Sequence, residues 1–246
     1  MKRSKLAGLL FYAATLFFLA SCGGDGSKEQ TSTDTSTTAE TTTPVIAEVN
    51  TTTTVPQDMM VVTHKVADFA KWQMSYDEHD SLRLANGIHS YVIGRGVQDS
   101  NTVLVAVKGD DMAKAKAFAK DPSLKKAMQK GGVTGAPSIS FFTATFQDTA
   151  VISSPLRSRT MFTVKDWDAW QKSFEEGKQE RIDNGLTVRV VGHDPDDNKK
   201  VSLVTAILDT AKAAAYWKSD ALKKRREAGG VIGEPKRFVF RVVHRY

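Results

Sequence analysis

Val66-Ala67-Asp68-Phe69-Ala70-Lys71-Trp72-Gln73 returns 98 residues later as Val164-Lys165-Asp166-Trp167-Asp168-Ala169-Trp170-Gln171. The same offset, with no gap, carries Asn86-Gly87 onto Asn184-Gly185 and Leu124-Lys125-Lys126 onto Leu222-Lys223-Lys224. It also carries Gly131-Gly132-Val133-Thr134-Gly135-Ala136-Pro137 onto Gly229-Gly230-Val231-Ile232-Gly233-Glu234-Pro235. Between Val61–Phe146 and Arg159–His244 there are about 28 identities in 86 positions. Repeat units that stack into solenoids run to 20–50 residues, so this period is too long for one. It fits two copies of a small complete domain in one chain.

Each copy reads as β-α-β-β-α-β. Met60 to Val66 is a β-branched run and a first strand. Asp68 and Asp166 are N-caps, and from them Phe69, Trp72, Tyr76, His79 and Arg83 recur at helical spacing, predicting one amphipathic helix of about five turns. In the second copy the same positions are Trp167, Trp170, Phe174, Gly177 and Arg181. Asn86-Gly87 stops that helix, since both residue types accept the left-handed conformation a helix stop uses. His89–Gly94 and Thr102–Lys108 are the next two strands, joined by hairpin chemistry at Gln98-Asp99-Ser100-Asn101. Asp111 to Lys130 is a second helix interrupted at Asp121-Pro122, and Ser138–Phe146 is the last strand.

That order is the ferredoxin-like arrangement, whose two helices cover one face of a four-stranded antiparallel sheet. Val61, Val103, Val105 and Phe141 in one copy, and Met161, Val201, Leu203 and Val239 in the other, alternate with apolar neighbours. Strands apolar on both faces belong to a sheet covered on both sides. The expectation is an α+β fold in which the two copies pack sheet to sheet as an intrachain pseudo-dimeric barrel, monomeric as a chain. The ferredoxin-like repeats are assigned to 59–150 and 151–246.

The N-terminus reads as an address. Lys2-Arg3-Ser4-Lys5 precedes an apolar run from Leu6 to Ala20, and Leu19-Ala20-Ser21-Cys22 closes it with small residues before a cysteine. This resembles a bacterial lipoprotein signal over 1–22, with Cys22 lipidated and membrane lipid as its partner. The expected location is the cell envelope. Gly23 follows the cysteine where an aspartate signals inner-membrane retention in some bacteria, which points to the outer membrane. Residues 23–58 are rich in threonine and nearly devoid of large apolar side chains, and read as a disordered tether.

Cys22 is the sole cysteine, so internal disulfides, cysteine-based metal sites and thiol catalysis are excluded. From Met59 onward the chain has 30 basic and 22 acidic residues; the second copy alone has 19 against 13. Part of that excess is Lys223-Lys224-Arg225-Arg226, a run read first as a solvated helix face and second as a contact for anionic lipid or polysaccharide. A nucleic-acid partner is not expected of an exported protein.

The pattern Val-x-Asp-[Phe/Trp]-x-x-Trp, then Ser-[Tyr/Phe]-x-Glu-like and Arg-x-x-Asn-Gly segments, Leu-Lys-Lys and Gly-Gly-Val-x-Gly-x-Pro resembles the dimeric α+β barrel superfamily. Its antibiotic-biosynthesis-monooxygenase-like and cyclase-like domains are the nearest in kind. The resemblance spans Met59–Tyr246 twice. It implies a fold; the activities in that superfamily include cofactor-independent monooxygenases, haem-binding proteins and cyclases, and the haem-degrading and quinone-forming residue sets find no match here.

Differences between the copies are where chemistry is sought. His64, His79 and His89 stand where the second copy has Phe162, Gly177 and Thr187. A histidine site for proton transfer or ligand orientation would use His79 as its base, in a cavity it shares with His64, with His64 and His89 as candidate ligand-binding residues. A metal or haem ligand is a subset of that reading, though no His-x-His or His-Glu-x-x-His spacing supports a metal site. The plain alternative is three histidines with satisfied hydrogen bonds. Arg83 and Arg181, common to both copies, suit either a helix C-terminus or a carboxylate or phenolate ligand. Trp72 and Tyr76 are core residues or the stacking wall of a pocket. Three functions compete: a lipoprotein binding a small, largely apolar or aromatic ligand; a monooxygenase-like or cyclase-like enzyme centred on His79; and a structural protein attached to anionic envelope polymers. The cofactor is left open.

Overall fold

The computed structural model describes residues 51–246. Its strands are β1 (Thr52–Thr53), β2 (Gln57–Val66), β3 (Ile88–Gly96), β4 (Thr102–Gly109) and β5 (Val133–Asp148) up to the end of the first repeat. The second repeat supplies β6 (Leu156–Val164), β7 (Leu186–His193), β8 (Lys200–Ile207) and β9 (Val231–Arg245). The helices are α1 (Phe69–Glu78), α2 (Asp80–Ala85), α3 (Met112–Phe118) and α4 (Pro122–Lys130), then α5 (Trp167–Glu176), α6 (Lys178–Asp183), α7 (Thr210–Trp217) and α8 (Asp220–Ala228). The signal, Cys22 and the tether as far as residue 50 lie outside the described residues.

All pairings are antiparallel, in the order β1-β5-β2-β4-β3-β9-β6-β8-β7, and β7 pairs back onto β5. Eight strands therefore close into a barrel, with β1 added at the edge of β5. Two joints connect the repeats: β3 with β9, and β5 with β7. Along β2, Met59 and Val61 face the lumen, where they cluster with Leu104, Phe142, Val190 and Phe240 from both repeats. Met60 and Val62 face the helices of the first repeat, with Trp72, Ile93 and Phe118. The covered second face expected of these strands is thus the lumen.

The structure departs from the sequence reading in three places. The long helix is two, breaking at His79 (φ −96, ψ 19) and at Gly177 (φ −86, ψ 9). At the first break Nδ1 of His79 donates to the Ser75 carbonyl at 2.6 Å, and Nη1 of Arg83 donates to the Tyr76 carbonyl at 2.6 Å. Side chains that take carbonyls out of the backbone ladder kink a helix. Nη1 of Arg181 takes the Phe174 carbonyl in the same way. The last strands are longer than expected, beginning at Val133 and Val231. The end of the supposed tether belongs to the fold: Thr52 and Thr53 pair with Asp148 and Gln147, and Gln57 and Asp58 open β2.

Candidate functional site

Between sheet and helices each repeat holds a cavity, and the two occupy equivalent positions. The first-repeat cavity, ≈ 70 Å³, is walled by β2 and β4 with α1, α2 and α4. Trp72 stacks on Tyr76 at 5.3 Å, and His64 tilts against Trp72 at 5.4 Å. His64 sits where the β2–β5 register slips between Thr63 and Lys65, a bulge of the kind that re-aims a side chain.

Three polar atoms that line the cavity have no hydrogen-bond partner: Nδ1 and Nε2 of His64 on β2, and Oγ of Ser75 on α1. Both residues are buried. Burial pushes the His64 imidazole down to about 4, so it is neutral at physiological pH. Each unpaired buried polar atom costs about 1–3 kcal/mol relative to a paired one. Most of the remaining lining is apolar, with Val62, Val105, Phe118 and Met128 among it.

Of the residues singled out in the sequence, His64, Trp72, Tyr76, His79 and Arg83 all line this cavity. His89 does not join them. It lies on the exposed start of β3 and pairs with Asp110 at 2.9 Å. The guanidinium of Arg83 is held by protein on all three nitrogens: Nε by Ser90, Nη1 by the Tyr76 carbonyl and Nη2 by Asp80. It also lies 3.7 Å from the Tyr76 ring centre. Its role here is to clamp the kinked helix pair. His79 keeps one nitrogen for chemistry: with Nδ1 donating to Ser75, the neutral ring carries its lone pair on Nε2.

The second-repeat cavity, ≈ 90 Å³, contains Arg181 in the place of Arg83 but no histidine. Phe162 replaces His64 and packs on Trp170 at 5.4 Å. Where the first cavity has Ala127 and Met128, this one has Arg225 and Arg226, and Arg237 joins them from the position that Ile139 holds in the first repeat. Arg225 pairs with Glu180, while Arg237 lies 4.2 Å from the Trp217 ring centre. Burial pushes Arg237 down to about 10, with the nearby Arg226 acting in the same direction. The basic run of α8 is thus divided: Lys223 and Lys224 face solvent, and Arg225 and Arg226 turn to the cavity. Comparing the repeats for charge as well as for histidine exposes these arginines in the sequence.

A haem does not fit either cavity. Ligand pockets for molecules of drug size run to about 300–1,000 Å³, several times these volumes. The second cavity also offers no imidazole to an iron.

No protein-family model matches the chain. No curated protein matches it either. Solved structures do: a candidate monooxygenase from Lactobacillus acidophilus, at 11% identity and TM-score 0.50, over 76% of this chain and 93% of its own. A candidate monooxygenase from Fusobacterium nucleatum is similar at 13% identity and TM-score 0.51, over 77% and 93%. A mutant chlorite dismutase from Candidatus Nitrospira defluvii aligns at 9% identity and TM-score 0.51, over 77% and 92%. At such identities the likeness is one of fold, and that fold is the ferredoxin-like dimeric α+β barrel, here completed within one chain.

Proposed function

We propose that the chain is an envelope lipoprotein whose first-repeat cavity binds a small, largely apolar or aromatic molecule carrying one hydrogen-bonding group. The observation that carries this reading is a mainly apolar cavity into which two buried side chains bring polar atoms that lack a partner: both nitrogens of His64 from β2 and the hydroxyl of Ser75 from α1. Buried polar groups are normally paired by protein, water or ligand. A ligand hydroxyl or carbonyl would do that for His64. At ≈ 70 Å³ the space is about half that of a 150 Å³ apolar cavity known to admit benzene, so a ring requires one wall to yield. Helix α4 has no fully buried residue and is that wall.

The test is titration of the full chain with phenol, followed through tryptophan emission, because Trp72 stands in the wall. Saturable quenching that His64→Phe weakens about tenfold, the equivalent of one hydrogen bond, is the expected result. No saturation, or equal affinity in the variant, rejects the site. For the anchor, labelled palmitate should enter the wild-type chain in bacteria and be absent from Cys22→Ala.

A second reading is supported by His79 and by the monooxygenase-type neighbours. Its fixed tautomer leaves Nε2 as a proton acceptor on the same cavity, the geometry a general base uses. In that case His79→Ala abolishes turnover while leaving phenol affinity within a factor of about two.

A further inference from the structure

We propose that the lumen of the barrel is a binding site for one small oxyanion, held by Arg157 and Arg159 of β6 and Arg189 of β7. The three arginines are 3%, 6% and 5% exposed and line a single cavity of ≈ 60 Å³. That volume exceeds what one water occupies several times over and suits an anion of acetate or phosphate size.

The first repeat has no counterpart to this charge. The positions equivalent to Arg157, Arg159 and Arg189 are Met59, Val61 and Tyr91. Met59 and Val61 belong to the apolar lumen cluster, which is what these strand positions hold when packing alone decides. Arg189 and Tyr91 each sit at a register slip, in β7 and β3 respectively, so the fold directs both bulged residues to the same cavity.

Protein groups neutralise only part of the charge. Asp148 pairs with Arg189 at 2.7 Å. Arg157 donates through Nη1 to two main-chain carbonyls, of Ser154 and Leu156. Arg159 donates to the hydroxyls of Ser202 and Ser140 at 3.2 and 2.9 Å. Neither makes an ion pair, and Arg245 at the rim adds positive charge next to Arg157 and Arg189. Burial pushes both Arg157 and Arg159 down to about 10, still cationic at neutral pH. A buried charge without a partner is among the most costly features a fold can carry. A bound carboxylate or phosphate removes that cost through charge-assisted hydrogen bonds. Arg159 also lines a second, more open cavity of ≈ 390 Å³.

Calorimetric titration of the full chain with sodium acetate and with sodium phosphate, at constant ionic strength, tests the site. The wild type should bind one anion per chain. Arg159→Val and Arg157→Met install the residues of the equivalent strand and should weaken binding about 30-fold or more, as truncating a buried charge pair does. Preference for acetate assigns a carboxylate whose alkyl end meets the apolar lumen; preference for phosphate assigns an inorganic oxyanion. Absence of binding, or unchanged binding in the variants, overturns the proposal. A second measurement needs no variant: the urea midpoint of the wild type should rise to a plateau with the preferred anion, and a flat or unsaturating response overturns it as well. None of this depends on what the first-repeat cavity holds.

Discussion

At the scale of single residues, His64 offers the sharpest test, because its two nitrogens are unpaired and its environment excludes charge. Its folded-state value of about 4 lies below the ordinary 6.5. Above pH 6.5 the ring is neutral folded or unfolded, and the fold has its full stability. As pH falls from 6.5 towards 4, the unfolded chain takes a proton that the folded one refuses, so stability is lost across that window and the loss is complete below it. The span corresponds to about 3 kcal/mol. His64→Phe, the residue the second repeat carries at that place, should flatten this part of the profile and be more stable than the wild type at pH 4.5. Urea denaturation at pH 7 and pH 4.5 measures both effects, and parallel profiles for the two proteins exclude a buried neutral imidazole. The three histidines drew attention in the sequence as one set, yet only His64 and His79 share a cavity. His89 starts the outer end of β3, and neither composition nor spacing shows which end of a strand faces solvent.

At the scale of elements, the two joints depend on a pair of glycines. Gly94 lies on β3 against Val242 of β9, and Gly192 on β7 against Ala144 of β5, 98 residues apart and identical. A Cβ on Gly192 would stand 2.3 Å from the Thr143 carbonyl oxygen; one on Gly94 would stand 2.2 Å from the Phe240 ring. The first obstacle is backbone and cannot rotate away. Gly192→Ala should therefore cost at least about 2 kcal/mol, read as a lowered urea midpoint, and more than Gly94→Ala, where a side chain can shift. The helix starts obey simpler rules: Asp166 accepts the Ala169 amide at 2.8 Å, as Asp68 does the Lys71 amide, and Asp166→Ala should cost about 1 kcal/mol in the same assay. Those caps, with the glycine turns and aromatic spacing, made the β-α-β-β-α-β order legible in the sequence because each acts locally. The helix break at His79 and Gly177 was not legible, since it arises from arginines four residues further on reaching back to carbonyls. The lumen charge was hidden for a different reason. Arginine alternating along Leu156-Arg157-Ser158-Arg159-Thr160-Met161 has the pattern of a solvent face, and only closure of the barrel turns that face inward.

At the scale of the molecule, the repeats complete one another. The lumen cluster joins Met59, Val61 and Leu104 to Val190 and Phe240, so a half-barrel alone would expose that whole face to water. Burying apolar surface contributes about 25 cal/mol per Å², and a domain of this half-size has little stability to spare. The covalent connection between the halves is slight by comparison. Val151 is fully exposed, and a cut there removes no lumen contact. Residues up to Val151 and from Ile152 should each fail to give a cooperative unfolding transition when produced separately. Mixed, they should assemble one to one, with the mass of the uncut chain and a sigmoidal melt that depends on concentration. A first fragment that melts cooperatively as a monomer would show that the repeats are independent domains, and the closed barrel would then be an association rather than the folding unit. The lumen charge fits a single folding unit: Arg157, Arg159 and Arg189 stand on the second repeat's wall, and first-repeat strands line the same cavity and help keep water from them.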